Sequence, residues 1–257
     1  MIRMDMPRFP SHASAAGMMK YNTFSLRTAV AVTALLSAGF AYVGYVVRRA
    51  RQEEEAVKRL DAIAIFEYDY QVDRVGSLTG AEPPGPQWLR SLLGSHAFQH
   101  VIRIKFIPNA RLGSAEVKWL RKMPSLRHVE MDETITSADA IQALAETHQV
   151  EVISASECPI DDEGIRLIAQ MPNLNWLDVA ATQITDEGLH HLAGSRTLRV
   201  LYLADTNISD GSIDALASMK SLDFVFLVNT QITDSAASRL RAALPDCDVT
   251  ATDNYRR

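Results

Sequence analysis

The chain is short of the residues that carry covalent chemistry and cross-linking. Two cysteines in 257 residues, Cys158 and Cys247, are too few for a disulfide framework. Seven histidines include His96 and His100, four apart, and the adjacent pair His190 and His191. No HExxH and no Cys/His spacing of zinc type surrounds them, so they read as solvated surface histidines. No GxSxG, Walker or GxGxxG stretch occurs, and the glycines read as turn and packing residues. With no nucleophile, base, metal or cofactor constellation, the expectation is a protein without enzymatic activity, cofactor or metal. Basic residues are also scarce in the body of the chain. Residues 52–257 hold 19 Lys or Arg against 30 Asp or Glu, a net −11, whereas residues 1–51 hold seven against one, a net +6. An acidic body excludes a general nucleic-acid binder, whose affinity comes from Lys and Arg neutralising phosphates.

One long stretch lacks charge altogether. Residues 28–47 (TAVAVTALLSAGFAYVGYVV) run uncharged between Arg27 and Arg48-Arg49. As a helix rising about 1.5 Å per residue they span roughly 30 Å, the thickness of a bilayer's hydrocarbon core. A signal peptide would have a shorter apolar region and a small-x-small cleavage site. Here Tyr42, Tyr45 and two valines run straight into arginines, so the expectation is an uncleaved single-pass membrane anchor with its tyrosines in the interfacial belt. Arg8, Lys20 and Arg27 precede it; Arg48, Arg49, Arg51, Lys58 and Arg59 follow. That margin is small and large domains translocate with little regard to charge, which leaves both orientations open.

After the anchor, residues 48–62 read as a juxtamembrane helix and residues 63–71 as a strand, followed by a proline-rich loop over 76–87. Trp88 to Leu93 reads as a short amphipathic helix ended by Gly94. Beyond them one sentence is written several times. Leu126, Val150, Leu174, Leu198 and Leu222 each lie 24 residues apart, and a fixed period of about 20–29 residues marks a leucine-rich solenoid. Its clearest copies are Leu174-Asn-Trp-Leu-Asp-Val-Ala-Ala-Thr182-Gln-Ile-Thr-Asp-Glu-Gly-Leu189 and Leu198-Arg-Val-Leu-Tyr-Leu-Ala-Asp-Thr206-Asn-Ile-Ser-Asp-Gly-Ser-Ile213.

The first, fourth and sixth places of each unit point inward from a short strand, because alternate strand side chains share a face. The ninth place holds Thr134, Cys158, Thr182, Thr206 and Thr230, residues that can bond the turn backbone. At that place Cys158 reads as a buried structural thiol, and Cys247 as part of a C-terminal cap. Thr185, Ser209 and Thr233 are good helix N-caps, and Asp186, Asp210 and Asp234 follow where negative charge complements the helix dipole. Capping explains these aspartates without calcium. Ile135 falls one place early in its unit, a sign of local irregularity. The expected fold is thus α/β: a leucine-rich-repeat solenoid with a parallel β-sheet on its concave side and helices on its convex side. Its segments are a disordered leader (1–27), the anchor (28–47), a juxtamembrane helix with an N-terminal cap (48–100), a solenoid of about six 24-residue repeats (101–249) and a polar tail (250–257).

With these residues in view the chain resembles a bacterial group, the membrane-anchored leucine-rich-repeat proteins abundant in planctomycetes. The resemblance rests on residues 24–28 (FSLRT), 48–52 (RRARQ), 67–70 (EYDY), 84–94 (PGPQWLRSLLG), the Ile-Thr-Asp-Glu-Gly-Leu units, and 243–247 (ALPDC). The repeat is also similar to the cysteine-containing subclass found in substrate adaptors of ubiquitin ligases. The resemblance implies the fold and a membrane location and adds little chemistry.

The outward third and fifth strand places do not repeat. They read Arg103 and Lys105, His128 and Glu130, Val152 and Ser154, Trp176 and Asp178, Val200 and Tyr202, Phe224 and Phe226. Side by side they make a concave stripe, charged at one end and aromatic at the other. Contiguous exposed aromatics mark interaction sites. The candidate binding residues are therefore Trp176, Asp178, Val200, Tyr202, Phe224 and Phe226, with His128 and Glu130, and the expected partner is a protein or peptide. A self-associating envelope protein is the alternative, an adaptor by analogy with the ubiquitin-ligase repeats a further one. Under the first, the C-terminal tail would leave Phe224 and Phe226 open; as a cap it would cover them.

Overall fold

The computed structural model describes residues 26–71, 82–93 and 97–251. By contact it divides into two compact units, residues 1–44 and 45–257. The first helix, α1 (Leu26–Leu60), contributes to both. Within the first unit its side chains from Val30 onward are exposed, Leu35 and Phe40 among them. Length and composition suffice for a membrane crossing, a test that a signal sequence near an N-terminus would pass too. Most of the expected leader lies outside the described residues, but Leu26 and Arg27 are already helical, and residues 28–47 and 48–60 form one helix rather than two elements.

The second unit begins on α1. Ala50, Ala56 and Leu60 are buried at four- and six-residue intervals on one helix face, and Glu53 on the same face is 1% exposed. Its Oε1 accepts the Val101 backbone N–H at 2.6 Å. A carboxylate so deep in apolar surroundings needs such a partner, because burial without one costs several kcal/mol. The cover over the first strand pair therefore starts on this helix. It continues in β1 (Ala64–Tyr68), which pairs antiparallel with β2 (Val101–Phe106). Between them α2 (Gln87–Leu93) buries none of its residues, and Trp88 and Leu92 are exposed.

From β2 onward the sheet is parallel. It runs through β4 (His128–Glu130), β6 (Val152–Ser154), β7 (Trp176–Asp178), β8 (Val200–Tyr202) and β9 (Phe224–Phe226) to β10 (Asp248–Thr250). The last strand adds a further parallel partner to the sheet, with Val249 opposite Val225. A two-stranded sheet pairs β3 (Arg111–Leu112) with β5 (Ile135–Thr136). There Ile135 is exposed and Thr136 takes the buried place, which accounts for the one-residue offset in that unit. Behind the strands stand α3 (Ser114–Val117), α4 (Ala138–Ala145), α5 (Asp162–Ile168), α6 (Asp186–Leu192), α7 (Ile213–Ser218) and α8 (Asp234–Ala243). Pairs such as Leu189 and Leu192, or Ile213 and Leu216, seal these helices onto the core.

Two devices hold each repeat to the next. At the turn after each strand one residue is left-handed: Asn109, Glu133, Glu157, Ala181, Asp205 and Asn229, with φ of 52–63° and 24 residues between them. None is glycine or β-branched, and the strain of this conformation is offset by bonding. The N–H of Glu157 donates to Ala180 O at 2.9 Å and that of Ala181 to Ala204 O at 2.8 Å, each reaching into the following repeat. The ninth-place threonines serve the same turn from within. Thr182 Oγ1 donates to Val179 O and Thr206 Oγ1 to Leu203 O, both at 2.6 Å, whereas the Cys158 thiol crosses to Met131 O of the repeat before at 2.8 Å.

The second device is a carboxylate clip on the helix side. Asp162 accepts both the N–H and the hydroxyl of Thr185 at 2.7 Å; Asp186 does so with Ser209 at 2.7 and 2.5 Å, and Asp210 with Thr233 at 2.8 and 2.9 Å. The Thr233 N–H and hydroxyl together hold the Asp210 carboxyl below its usual range. In turn the Thr185 and Ser209 hydroxyls accept from the N–H of Glu187 and Gly211, capping their own helices. Asp162, Asp186 and Asp210 thus do more than complement a helix dipole: each joins its repeat to the next. The clip also explains a glycine. A Cβ on Gly188 would run into the Asp162 carboxylate and stand 3.3 Å from its Cα, and one on Gly211 would meet Asp186 Oδ2 at 2.6 Å.

Asp186→Ala, which strands the Ser209 N–H and hydroxyl, should lower stability by about 1–3 kcal/mol. Gly188→Ala should cost about 1–3 kcal/mol by displacing the Asp162 carboxylate. Chemical denaturation of the full chain in detergent reads both; in the double variant Asp162→Ala/Gly188→Ala the costs should be clearly less than additive, and full additivity would refute the clip.

Candidate functional site

Strand register places the outward side chains of the sheet in two rows. Arg103, His128, Val152, Trp176, Val200, Phe224 and Asp248 are successive neighbours in the first, and Lys105, Glu130, Ser154, Asp178, Tyr202, Phe226 and Thr250 in the second. A parallel sheet spaces neighbouring strands about 4.8 Å apart, so side chains along a row must touch. At the aromatic end rings meet along one row, Tyr202 with Phe226, and between the rows, Tyr202 with Trp176 and Phe224. Ring centroids of Trp176 and Tyr202 are 5.3 Å apart, as are those of Tyr202 and Phe224, and Tyr202 to Phe226 is 5.7 Å. The first three contacts are tilted by 46–48°, while Phe224 and Phe226 lie nearly parallel at 6.3 Å. These separations fall in the favourable range for ring pairs. All four rings, and Val200 with them, are half-buried on the outward face of the sheet.

The strand that follows Phe224 and Phe226 settles where the near tail runs. β10 lies beside β9 in the plane of the sheet, with Asp248 next to Phe224 and Thr250 next to Phe226. Up to Ala251 the chain extends the surface and does not fold over the two rings; residues 252–257 lie outside the described residues.

The other end is a charge network. Arg103 Nη1 lies 3.1 Å from Glu67 Oε2 on β1, and its Nε lies 3.7 Å from Glu130 Oε1; Lys105 Nζ lies 3.4 Å from Glu130 Oε2. Arg103 Nε also donates to His128 Nδ1 at 3.1 Å. An imidazole nitrogen that accepts carries no proton, so His128 is neutral, with its hydrogen on Nε2, 3.6 Å from Glu130. Burial and the Arg103 charge hold its pKa down, to about 4, against the opposing pull of Glu130 and Asp132. The imidazole stands 6.4 Å from the Trp176 ring and joins the two ends of the stripe.

Between the ends lie two carboxylates. Asp178, next to Tyr202 in register, accepts from the Ala180 N–H at 2.9 Å, and burial with the nearby Asp132 charge pushes its carboxyl up. Asp132 accepts from Ser154 Oγ at 2.7 Å and from the N–H and hydroxyl of Ser156 at 2.9 and 3.0 Å. Ser154 is buried under that bond and offers the surface little, unlike the open position that strand alternation gives it. The sequence reading missed Asp132 and Glu67. Asp132 sits past the strand's end, where alternation carries no information, and Glu67 belongs to an antiparallel strand outside the repeat.

The remaining reactive groups stand apart from the stripe. His190 and His191 are exposed on α6, and His100 lies against Glu53 with Nδ1 3.3 Å from Oε2. Burial pushes the Cys158 thiol up and raises Cys247 to about 11, the setting of inert thiols. Among the described residues no group of three or more His, Cys, Asp or Glu is placed to hold a metal ion.

Comparison with known proteins agrees with the repeat. A family model described as a leucine-rich repeat matches residues 194–217, one full period of the array. No curated protein sequence matches the chain. Among solved structures, an internalin from Listeria monocytogenes is similar at 19% identity and a TM-score of 0.38, over 55% of this chain and 46% of that one. A TDR receptor is similar at 13% identity and a TM-score of 0.36, over 56% of this chain and 25% of that one. The chain thus spans less than half the length of either. The repeat match supports a leucine-rich-repeat protein, a kind of domain that serves protein interaction.

His128 makes the sheet face acid-sensitive. Its folded pKa lies below the unfolded value near 6.5, so the unfolded chain binds the extra proton between about pH 6.5 and 4 and stability falls as pH drops through that window. The loss should reach on the order of 2–3 kcal/mol once solvent screening is allowed for. His128→Gln should flatten this part of the stability profile; a His128 pKa of 6.5 or above by NMR titration would contradict the account.

Proposed function

We propose that the chain is a non-enzymatic interaction module, held to a membrane by residues 28–47, that binds a protein or peptide on the concave face of its sheet. The observation that carries this reading is the unbroken run of Trp176, Tyr202, Phe224 and Phe226 across three neighbouring strands, each ring half-buried and in contact with the next. Packing does not demand aromatics there, since the inward places supply the core. Trp and Tyr in such a setting offer large, rigid contact area at low entropic cost.

The borders of the run indicate the ligand's chemistry. Asp178 flanks the rings on one row, Asp132 and Glu130 lie beyond it, and residues 52–257 carry a net −11. Apolar or aromatic side chains of an extended segment would lie on the rings, with a Lys or Arg directed at Asp178, where ring faces also favour a cation. His128 and Val200 complete the wall.

A second reading, self-association through the sheet edge, is favoured by β1. It is one of the two terminal strands of the sheet, and Ile65 on it is 59% exposed. Open edge strands template pairing between chains.

Peptides selected from a random displayed library against the full chain in detergent provide the test. Trp176→Ala with Tyr202→Ala should weaken the selected peptides by about 30-fold or more, as expected for centres of binding energy, with the circular dichroism spectrum unchanged. Undiminished affinity in a folded double variant would refute the concave site. Discrete oligomers that persist in that variant and vanish on Ile65→Lys would favour the edge-strand reading instead.

A further inference from the structure

The second unit contains an open cleft of about 230 Å³ between the latter part of α1 and the 3-10 helix Lys118–Lys122 of the first repeat. Arg48, Arg49, Arg121 and Lys122 line it together with Tyr45 and Gln52, and no acidic side chain does. Four cations around one small cleft are conspicuous on a body that is otherwise acidic. Arg121 directs one Nη toward Glu146, outside the cleft. Arg49 donates from Nη2 to Ser125 Oγ at 3.0 Å, and its Nε is buried without a hydrogen-bond partner. A buried donor left unpaired costs about 1–3 kcal/mol, and like charges gathered at one place add repulsion. An anion with several acceptor oxygens relieves both at once.

We propose that this cleft is a phosphate-binding site, filled by the headgroup of an anionic lipid. Arginine forks match phosphate oxygens in pairs, Lys122 adds a point charge, and the Gln52 amide and Tyr45 hydroxyl are neutral donors. The lipid source follows from the chain itself. Tyr45, Arg48 and Arg49 belong to the same continuous helix as the apolar run that ends at Val47, and Arg48 and Arg49 directly follow it. On the anchor reading, with which the headgroup assignment stands, that position lies at headgroup level, where basic pockets select anionic lipids. A lipid held there would join the latter part of α1 and the first repeat through one phosphate.

Native mass spectrometry of the full chain in neutral detergent, with phosphatidylglycerol or phosphatidylcholine added, tests the site. The chain should retain phosphatidylglycerol selectively, and Arg48→Gln with Lys122→Gln, both exposed positions, should weaken retention by about tenfold or more, at roughly 1 kcal/mol per charge. Arg239→Gln, an exposed charge on α8, should leave it unchanged. Equal retention of phosphatidylcholine, or an equal loss in Arg239→Gln, would overturn the site. Displacement of the lipid by inorganic phosphate at similar concentration would overturn the headgroup assignment and leave a soluble phosphate as the occupant. Carbonate extraction of membranes reads the anchor separately: release of the chain, with lipid selectivity intact in detergent, would remove the anchor and keep the cleft.

Discussion

No repeat of this chain can satisfy its own backbone. At the start of each of four successive strands two N–H groups reach back to the repeat before, and one carbonyl there accepts both. Arg127 O takes Glu151 and Val152 N–H at 2.8 and 3.0 Å; Glu151 O takes Asn175 and Trp176; Asn175 O takes Arg199 and Val200; Arg199 O takes Asp223 and Phe224. An unpaired buried N–H costs about as much as a lost hydrogen bond. Register is the consequence: strands stay aligned residue for residue at steps of 24 from His128 to Asp248 and across the 25 between Arg103 and His128, since a strand slipped by one residue would turn its wrong face to the core. The ends need covers for the same reason, and α1 with β1 at one end and β10 at the other provide them.

This constraint also makes the outward face of the sheet. Because strands align residue for residue, the third and fifth places become straight rows, and aromatic side chains in adjacent repeats are brought into contact without any further fixing. The turn ladder and the carboxylate clips keep the rows straight from both sides, the first through the left-handed residues after each strand and the second through Asp162, Asp186 and Asp210 before each helix. The inward places are free only to be apolar and of the right size. The outward ones are free of that demand, so the change along the array from Arg103, Lys105 and Glu130 to Tyr202, Phe224 and Phe226 is where this sequence can differ from a bare scaffold.

Much of this is legible in the residues because the repeat writes it many times. The inward leucines, the threonines of the ninth place and the helix caps recur, and recurrence identifies strand, turn and helix without a template. What was not legible has physical reasons. The left-handed residue is Asn, Glu, Glu, Ala, Asp and Asn in turn, so no side chain announces it; the backbone bond into the next repeat holds it there. The clip aspartates sit where a helix dipole alone would favour them, which hides their second partner 23 residues on. The abrupt change from uncharged to charged residues at Arg48 hides the helical continuity to Leu60, and the buried Glu53 looks in sequence like one of three solvated glutamates. On that face the rows are visible from alternation, but the Asp132 to Ser154 bond that withdraws Ser154 is not.

The central claim is that pairing between repeats, made by the backbone and by the clips, carries the array and holds its face in register. Hydrogen exchange of the full chain in detergent tests it most directly, at the amides of Thr185, Ser209 and Thr233. Each sits at the surface start of a helix, where an ordinary cap amide exchanges by local fraying. If the clips join the repeats, these three amides exchange as slowly as those of Trp176, Val200 and Phe224 in the sheet. Exchange at the rate of exposed loop amides such as that of Arg196 would show that the repeats are held by their cores alone and contradict the account.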